Sequence, residues 1–221
     1  MKISLIVSTL GRTEELAKFL ASLEKQTYHD WELIVVDQNE DDRVAKVLDA
    51  SGVSAMHLKS EKGASLGRNI GLAAATGDVI AIPDDDCTYE PATLETLAGF
   101  FAEHSDIGAV IGCWAEKGCS REVINRFNVF RRAGTCFYFV RREWTQRIGS
   151  FDETFGPGPK ATYQGGEDTD YLFRGLKLGM KIAREPTIRI HHPDMPVGTL
   201  SAAKVRGEGP RLRMCPYGAF A

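Results

Sequence analysis

Short apolar runs alternate with amphipathic stretches along the first half of the chain. The runs are rich in β-branched residues and apolar on both faces, which predicts strands buried within a sheet. They cover residues 3–8, 31–37, 53–58 and 79–83. The stretches between them repeat apolar residues with a helical period and cover residues 41–50 and 64–75, with a first one opening at Thr13. This alternation predicts an α/β fold in which a mostly parallel sheet lies between two layers of helices.

Polar side chains follow three of the predicted strands. Thr9 comes after the first strand, Asp37 ends the second, and Asp84, Asp85 and Asp86 follow the fourth. In open α/β sheets the ligand crevice lies beyond the carboxyl ends of the strands, so these groups are expected to share one rim. Three adjacent carboxylates repel one another, and bound Mg²⁺ or Mn²⁺ would remove that repulsion. The alternative is an exposed acidic turn ahead of the next helix.

The second half of the chain is less regular. Residues 134–141 predict a strand, and residues 156–166 form a Gly/Pro-rich loop of the kind that closes over sites. Residues 167–178 predict a helix with Glu167 and Asp168 in its first turn. One of these acids is a candidate general base toward an acceptor hydroxyl, or both are simply favourable partners of the helix dipole. The glycines at 165 and 166 favour catalysis, because they allow a ligand to approach closely.

Two further positions are candidates for ligand binding. A short strand at residues 188–192 ends in His191 and His192. Such a histidine is either a core residue or completes a carboxylate–imidazole metal shell, which would favour Mn²⁺ over Mg²⁺, and the residues leave open which of the two binds. Arg68, near the start of the third helix, is either an anion clamp, since guanidinium matches phosphate geometry, or a helix-surface residue.

The composition of the 221-residue chain narrows the classes of function. It is 43% hydrophobic and 26% charged, as in ordinary folded proteins, and its net charge of −3 offers no basic field for nucleic acid. No apolar run approaches the ~20 residues of a membrane-spanning helix, and the N-terminus lacks a signal-peptide pattern, so we expect a cytoplasmic protein. Five scattered cysteines without a CxxC pair predict buried thiols rather than a disulfide framework or a zinc site.

Residues 121–147 stand apart in local charge. They contain seven arginines against two glutamates, a net charge of +5, with six aromatic residues between them. We interpret part of this stretch as a surface that docks on anionic lipid, such as a lipid-phosphate-linked acceptor at a membrane. The alternative is a set of separately solvated arginines around a buried aromatic core.

Taken in order, these stretches resemble a family 2 glycosyltransferase of the GT-A fold, over residues 1 to about 192. The resemblance rests on a series of short motifs whose order makes the match specific. They are Ser8-Thr9-Leu10-Gly11-Arg12, residues 33–37, 67–71 and 76–78, the aspartates at 84–86, residues 149–153 and 166–170, and His191. The resemblance implies a three-layer α/β/α GT-A fold with a small acceptor-side subdomain. Residues 1–112 would then form the nucleotide-sugar-binding half, residues 113–192 the acceptor-side half, and residues 193–221 a tail.

The resemblance also implies a role for each motif residue. Asp84 and Asp86 correspond to the family's DxD motif. Thr9 and Asp37 would hold the nucleotide base, and the rest of the nucleotide would be held by Arg12, Arg68, Asp84 and Asp85. Asp86 and His191 would bind the metal, with His192 as the fallback ligand. Asp168 would be the catalytic base, and Glu167 would contact the sugar or the acceptor.

The expected activity is that of a metal-dependent, inverting glycosyltransferase with Mn²⁺ or Mg²⁺ as cofactor. It would move a sugar from a nucleoside diphosphate, with UDP expected from its frequency in the family, to a saccharide or lipid-linked acceptor in surface polysaccharide or glycoconjugate synthesis. No nucleic-acid partner is expected, while peripheral contact with the inner membrane face and a homodimer stay open. The alternatives are a sugar-nucleotide nucleotidylyltransferase, which would need a glycine-rich basic loop after the first strand, and a non-catalytic nucleotide-sugar binding module.

Overall fold

A computed structural model describes residues 1–193 of the chain. The first half alternates strands and helices as the sequence predicts. The second half adds five strands to the same sheet, together with three helices. In chain order the elements are β1 (Ile3–Thr9), α1 (Thr13–Leu23), β2 (Trp31–Asp37), α2 (Arg43–Ala50), β3 (Ala55–Lys59), α3 (Ala64–Ala74), β4 (Val79–Ala81), β5 (Thr88–Tyr89), α4 (Thr93–Glu103), β6 (Ala109–Trp114), β7 (Glu122–Ile124), β8 (Tyr138–Arg141), α5 (Arg142–Ile148), α6 (Glu167–Lys177) and β9 (Ile182–His191).

The strands form one sheet in the order β3-β2-β1-β4-β8-β6-β9-β5, with β7 paired to β9. The four strands β3, β2, β1 and β4 are parallel to one another. The next strand, β8, runs antiparallel to both of its neighbours, β4 and β6. Within residues 1–193 the sheet is therefore parallel in its first half and mixed in its second. The carboxyl ends of β1, β2 and β4 lie at one edge, as the alternation predicts.

The core lies on both faces of the sheet. Along β1, Leu5 and Val7 belong to one buried cluster with the apolar face of α1 and α4, while Ile6 belongs to a second cluster with α6. This division follows from the two-residue period of a strand, and a run that is apolar at every position is what a sheet covered on both faces requires. The three layers of the predicted architecture are therefore present.

Four strands of the second half depart from the sequence prediction, because β5, β6 and β7 are not predicted and β9 begins earlier than expected. The strand β6 was not predicted, and it crosses the position chosen as the boundary between the two halves. The strand β9 begins at Ile182, well before the predicted start at residue 188. Its polar residues break the apolar run, but Glu185 is buried and accepts from Thr187. At Gly112 the strands β6 and β9 approach so closely that a Cβ would lie 2.7 Å from the Ile188 carbonyl oxygen.

No helix within the described residues combines the length and the apolar character needed to cross a membrane.

Candidate active site

A cavity of about 600 Å³ opens at the carboxyl ends of β1, β2 and β4. Its wall is formed by the strand ends, by the N-terminal halves of α3 and α6, and by the Gly/Pro-rich loop. This is the place beyond the carboxyl ends of the strands where the sequence predicts a ligand crevice. The polar and charged residues that line it are Ser8, Arg12, Gln38, Lys62, Arg68, Asp84, Asp85, Glu167 and Asp168. The structure therefore brings most of the sequence-predicted site residues together around one space.

Thr9 and Asp37 lie beneath the cavity rather than in its wall. Thr9 is buried and donates its hydroxyl to Asp85 Oδ2 at 2.7 Å. Asp37 is fully buried, where Asn39 donates to one of its oxygens and Lys59 pairs with the other at 2.7 Å. Because side chains alternate along a strand, it is the neighbouring residues that face the cavity. The contact of Thr9 and Asp37 with the base stays a prediction, while in the structure the two side chains hold Asp85 and Asn39 in place.

Each of the three aspartates has a basic partner, which helps the fold to tolerate three adjacent carboxylates. Arg12 pairs with Asp85 Oδ1 at 3.1 Å and with Asp86 Oδ2 at 2.6 Å. Burial raises the pKa of Asp85, against the opposing effects of Thr9 and Arg12. Burial would raise the pKa of Asp84 too, but the His192 imidazole and the charge of Arg68 hold it below its ordinary value.

His192, not His191, lies beside the aspartates. Its Nε2 is 3.3 Å from Asp86 Oδ1 and 3.7 Å from Asp84 Oδ2. His191 Nδ1 instead contacts Glu116 Oε1 at 2.5 Å, and its Nε2 faces Glu90. His191 is the last residue of β9 and pairs with Thr88 of β5, so the pleat turns it away from the cavity edge. The geometry favours the fallback, His192, over His191, and the assignment of the metal ligand stays a prediction.

The side chains around His192 fit a divalent cation. Asp86 Oδ1 is buried and has no hydrogen-bond partner among residues 1–193, a state that costs free energy unless something binds it. Asp84, Cys136 and His192 each offer a ligand atom, and these atoms lie within 4.8 Å of one another. Carboxylate oxygen with imidazole nitrogen suits Mn²⁺ better than oxygen alone.

Asp168 lies next to a buried ion pair on the other side of the cavity. Arg68 donates from Nη1 to Glu167 Oε1 at 2.7 Å, and its Nη2 lies 3.7 Å from Asp84 Oδ1. Burial raises the pKa of Asp168 to about 6, helped by the negative charge of Glu167 and opposed by Arg68. A carboxylate in that range is ionised at neutral pH and basic enough to accept a proton from a bound group.

Gly166 explains how α6 presents these acids. It precedes the helix with φ of 88°, in the left-handed region that favours glycine. The glycine is therefore required by the backbone turn that delivers Glu167 and Asp168 to the cavity. This adds a local reason to the close-approach argument made from the sequence.

The Gly/Pro-rich loop closes one side of the cavity by contacts with α3. Ser65 donates its hydroxyl to the Phe155 carbonyl oxygen at 2.7 Å, and the Ala64 amide donates to the Pro157 carbonyl oxygen at 2.8 Å. A Cβ on Gly158 would lie 2.9 Å from the Gly63 Cα. The loop is held against the start of α3, consistent with its predicted position beside the site.

Four lining residues have no role assigned from the sequence: Ser8, Gln38, Lys62 and Cys136. The Ser8 hydroxyl is buried without a hydrogen-bond partner in the described part of the chain, and it faces the cavity. Ser8 and Gln38 are each next in sequence to a residue for which a role is predicted. The alternation of side chains along a strand is the signal that indicates them. Cys136 carried no local signal, because the strand pairing that brings it to Asp84 is long-range.

The cysteines also differ from the prediction. Cys113 and Cys119 are paired as a disulfide across the turn that follows β6, while Cys87 and Cys136 are buried free thiols. Six residues of separation bring the two partners together at the end of one strand, a proximity that spacing alone does not indicate. The fifth cysteine, Cys215, lies outside the described residues.

Comparison with known proteins supports the motif pattern. The sequence pattern that defines glycosyl transferase family 2 matches residues 4–163. The glucosyl-dolichyl phosphate glucuronosyltransferase of Haloferax volcanii is 39% identical over 118 residues, covering 51% of this chain and 38% of that protein. The uncharacterized glycosyltransferase YwdF of Bacillus subtilis is 32% identical over 132 residues, covering 57% and 48%. The chain thus matches less than half the length of these curated relatives.

Solved structures share the architecture at low identity. The crystal structure of S. aureus TarS has a TM-score of 0.71 at 20% identity, covering 89% of this chain and 37% of that one. The mannosyltransferase PcManGT from Pyrobaculum calidifontis, in complex with GDP-Man and Mn²⁺, has a TM-score of 0.70 at 19% identity, covering 93% and 61%. The ordered motifs, the fold and the family match agree: this chain has the GT-A fold and belongs to glycosyl transferase family 2.

Proposed function

We propose that this chain transfers a sugar from a nucleoside diphosphate to an acceptor hydroxyl, with inversion, in the synthesis of a surface polysaccharide or glycoconjugate. One observation carries the proposal. The cavity has a carboxylate of raised pKa, Asp168, on one wall. On another wall lie Asp84 and Cys136, and behind them His192 completes a cluster suited to a metal-bound diphosphate. A base and an anion-binding centre around one space are the two parts that such a transfer needs.

The proposed donor is a UDP-sugar. TarS has been solved with UDP and with UDP-GlcNAc, and PcManGT with GDP-Man and Mn²⁺. In this chain Asp86 and His192 would hold the cation, and Arg12 and Arg68 supply positive charge along the cavity for the phosphates. Thr9 and Asp37 act by holding Asp85 and Asn39 in place.

The chemistry follows from where these groups lie. A bound divalent cation supplies Lewis-acid stabilisation of the charge that develops on the leaving diphosphate. Asp168 accepts the proton of the acceptor hydroxyl as its oxygen attacks the anomeric carbon, and the bond to the diphosphate breaks on the opposite face. One displacement of this kind inverts the anomeric configuration. Arg68 holds Glu167 in place beside the base.

The two alternative functions have less support. A nucleotidylyltransferase would need a glycine-rich basic loop after β1, and the chain offers only Leu10-Gly11-Arg12 there. A binding module that catalyses nothing has no need for a carboxylate held at a raised pKa, because desolvating Asp168 lowers stability without contributing affinity.

The stereochemistry of donor hydrolysis tests the proposal without knowledge of the acceptor. With water as acceptor and an α-linked UDP-sugar as donor, we expect NMR to show the β-anomer of the free sugar first, before it equilibrates. Initial release of the α-anomer would rule out the single displacement. Release of nucleoside monophosphate, with the sugar still phosphorylated, would instead indicate cleavage within the diphosphate.

For the acceptor side we propose contact with an anionic membrane through the tip segment, residues 121–131. Val123 is 76% exposed and Phe127 is 78% exposed, more than any other large apolar side chain within residues 1–193. Arg126 lies over the Phe127 ring at 4.9 Å, and Arg131 is exposed beside them. Exposed apolar side chains ringed by arginine are suited to an interface between anionic headgroups and acyl chains.

The structure narrows the basic stretch considered in the sequence. Arg132 pairs with Glu122 at 2.9 Å, and Arg141 donates to carbonyl oxygens of the chain. Phe139 and Tyr138 are buried in the core. These contacts leave the tip segment as the part of the stretch that we propose for docking, although its Arg121 also pairs with Glu185. The buried aromatic residues agree with the alternative interpretation, whereas Arg132 and Arg141 are bound to other groups of the chain rather than separately solvated.

Vesicle binding tests the tip segment. We expect co-sedimentation with vesicles that contain phosphatidylglycerol, weaker with phosphatidylcholine alone and weaker at high salt. The double variant Val123→Ser/Phe127→Ser should lose most of this binding. The matched control is Met56→Ser, which alters an exposed apolar residue on the edge strand β3. Equal binding by the tip variant and the control, or no vesicle binding at all, would contradict the membrane proposal.

A further inference from the structure

We propose that Cys136 is a third protein ligand of the metal centre and makes that centre selective for thiophilic cations such as Zn²⁺, Co²⁺ or Cd²⁺. The proposal rests on the metal-binding part of the proposed function, in which Asp86 and His192 would hold the cation, with an Asp84 oxygen close to the same place. It goes beyond that function, because neither the DxD motif nor the histidine predicts a sulfur ligand.

The sheet topology explains why Cys136 reaches this place. It lies in a single 3₁₀ turn, Thr135–Phe137, that leads into β8. Because β8 runs antiparallel to β4 with Ala81 opposite Phe139, continuing the register by three residues places Cys136 opposite Asp84. Two segments that are 52 residues apart in sequence thus meet at the metal-binding edge by strand pairing.

The geometry around the thiol suits coordination. The Cys136 sulfur, an Asp84 oxygen and a His192 ring nitrogen lie within 4.8 Å of one another, so that small side-chain rotations would bring all three to one ion at metal–ligand distances of about 2.0–2.3 Å. Cys136 is 4% exposed. The Phe137 ring lies 6.2 Å from the His192 ring and helps to wall off this side of the centre.

The other buried thiol nearby provides a comparison. Cys87 Sγ donates to the Asp84 carbonyl oxygen at 3.1 Å, so that it already has a partner. No hydrogen bond of the Cys136 thiol is found within residues 1–193. Cys136 alone therefore presents a sulfur to the carboxylate–imidazole pair without giving up another interaction.

The chemistry of the step is a replacement of a proton by a metal ion. A divalent cation that binds Cys136 forms a metal–sulfur bond, and the thiol proton passes to solvent. Thiolate ligands favour soft or borderline cations, whereas carboxylates alone favour Mg²⁺. The donor set of Asp84, Asp86, Cys136 and His192 thus predicts tighter binding of Zn²⁺, Co²⁺ and Cd²⁺ than of Mg²⁺.

The test uses the metals alone, on the full chain with Cys215→Ser as the common background. Titration with Co²⁺ should produce thiolate-to-cobalt charge-transfer absorption in the near ultraviolet. The absorption should persist in Cys87→Ser and disappear in both Cys136→Ser and Cys136→Ala. Calorimetry should show Cd²⁺ affinity reduced by at least about tenfold in the Cys136 variants, with Mg²⁺ affinity unchanged. Thermal melts check that each variant is folded.

The outcomes separate this inference from the proposed function. The assignment of Cys136 as a ligand is overturned if the charge-transfer absorption survives in Cys136→Ser. It is also overturned if the protein binds Co²⁺ through Asp86 and His192 without showing that absorption. Either result leaves the metal centre itself in place. Failure of every cation to bind overturns the metal centre and the sulfur ligand together.

Discussion

Replacing Asp168 by asparagine is expected to lower the rate of nucleoside diphosphate release by about 10²- to 10⁴-fold, the range attributed to a general base. Asparagine keeps the shape of the side chain but cannot accept the acceptor proton. Donor affinity should change little, because Asp168 acts on the acceptor. The measurement is a comparison of turnover and donor Kd between the two proteins. Near-normal turnover would remove Asp168 from the proposed role.

The pH dependence of the activity provides a second test of Asp168. Burial and Glu167 raise the pKa of Asp168 to about 6, so the unmodified enzyme should gain activity as the pH rises through about 6 and then level off. The matched control is Asp152→Asn, which alters an exposed aspartate in a turn outside the cavity. The control should keep both the rate and the pH profile.

The Asp168→Asn variant should be more stable than the parent chain, and such a result would exclude misfolding as the cause of its lost activity. A folded-state pKa above the ordinary value of 3.8 means that ionisation is opposed by folding. This group therefore costs stability progressively as the pH rises from about 4 to about 6. We expect Asp168→Asn to raise the free energy of unfolding by on the order of 1–3 kcal/mol at pH 7, with no gain below about pH 4.

Replacing Arg68 by methionine should cause the largest loss of stability among the site variants, about 3–5 kcal/mol. Arg68 is 8% exposed and pairs with Glu167, which is also buried. Removing the guanidinium leaves the Glu167 carboxylate without its counter-charge in a desolvated place, and it removes positive charge from beside Asp84. Denaturant unfolding monitored by circular dichroism measures the effect.

Two controls identify the cause of that loss. The double variant Arg68→Met/Glu167→Gln should recover much of the stability, because it removes the uncompensated charge along with its partner. Lys160→Met, which breaks the exposed pair with Glu61, should cause no measurable loss, since exposed ion pairs contribute little. A small effect of Arg68→Met alone, or no recovery in the double variant, would contradict the role assigned to the buried pair.

The parallel half of the fold is predictable from the sequence because its signals are local. The strands β1 and β2 are continuous apolar runs, each followed by a polar residue, and the helices between them carry a clear period. In contrast, β9 contains Arg184 and Glu185, whose charges break the apolar pattern. Their partners, Glu122 and Arg121, come from a distant segment. No local reading of β9 reveals that pairing.

The site is predictable as a region, while the orientation of individual side chains is not. The rule that ligands bind at strand ends located the cavity correctly. Which of His191 and His192 faces Asp86 depends on the side-chain alternation at the end of β9, and the alternation along β1 decides between Ser8 and Thr9. Cys136 depends on β8 inserting antiparallel beside β4. Each of these facts is set by strand pairing across the sheet, which one sequence does not contain.

Calorimetric titration with UDP, GDP and dTDP, each with and without Mn²⁺, tests the central claim most directly. That claim is that the cavity at the strand ends binds a nucleoside diphosphate beside Asp86 and His192. We predict that UDP binds, that Mn²⁺ strengthens its binding, and that Asp86→Asn loses this enhancement while Asp152→Asn keeps it. Failure of all three nucleotides to bind, or UDP binding that neither Mn²⁺ nor Asp86→Asn alters, would contradict the account.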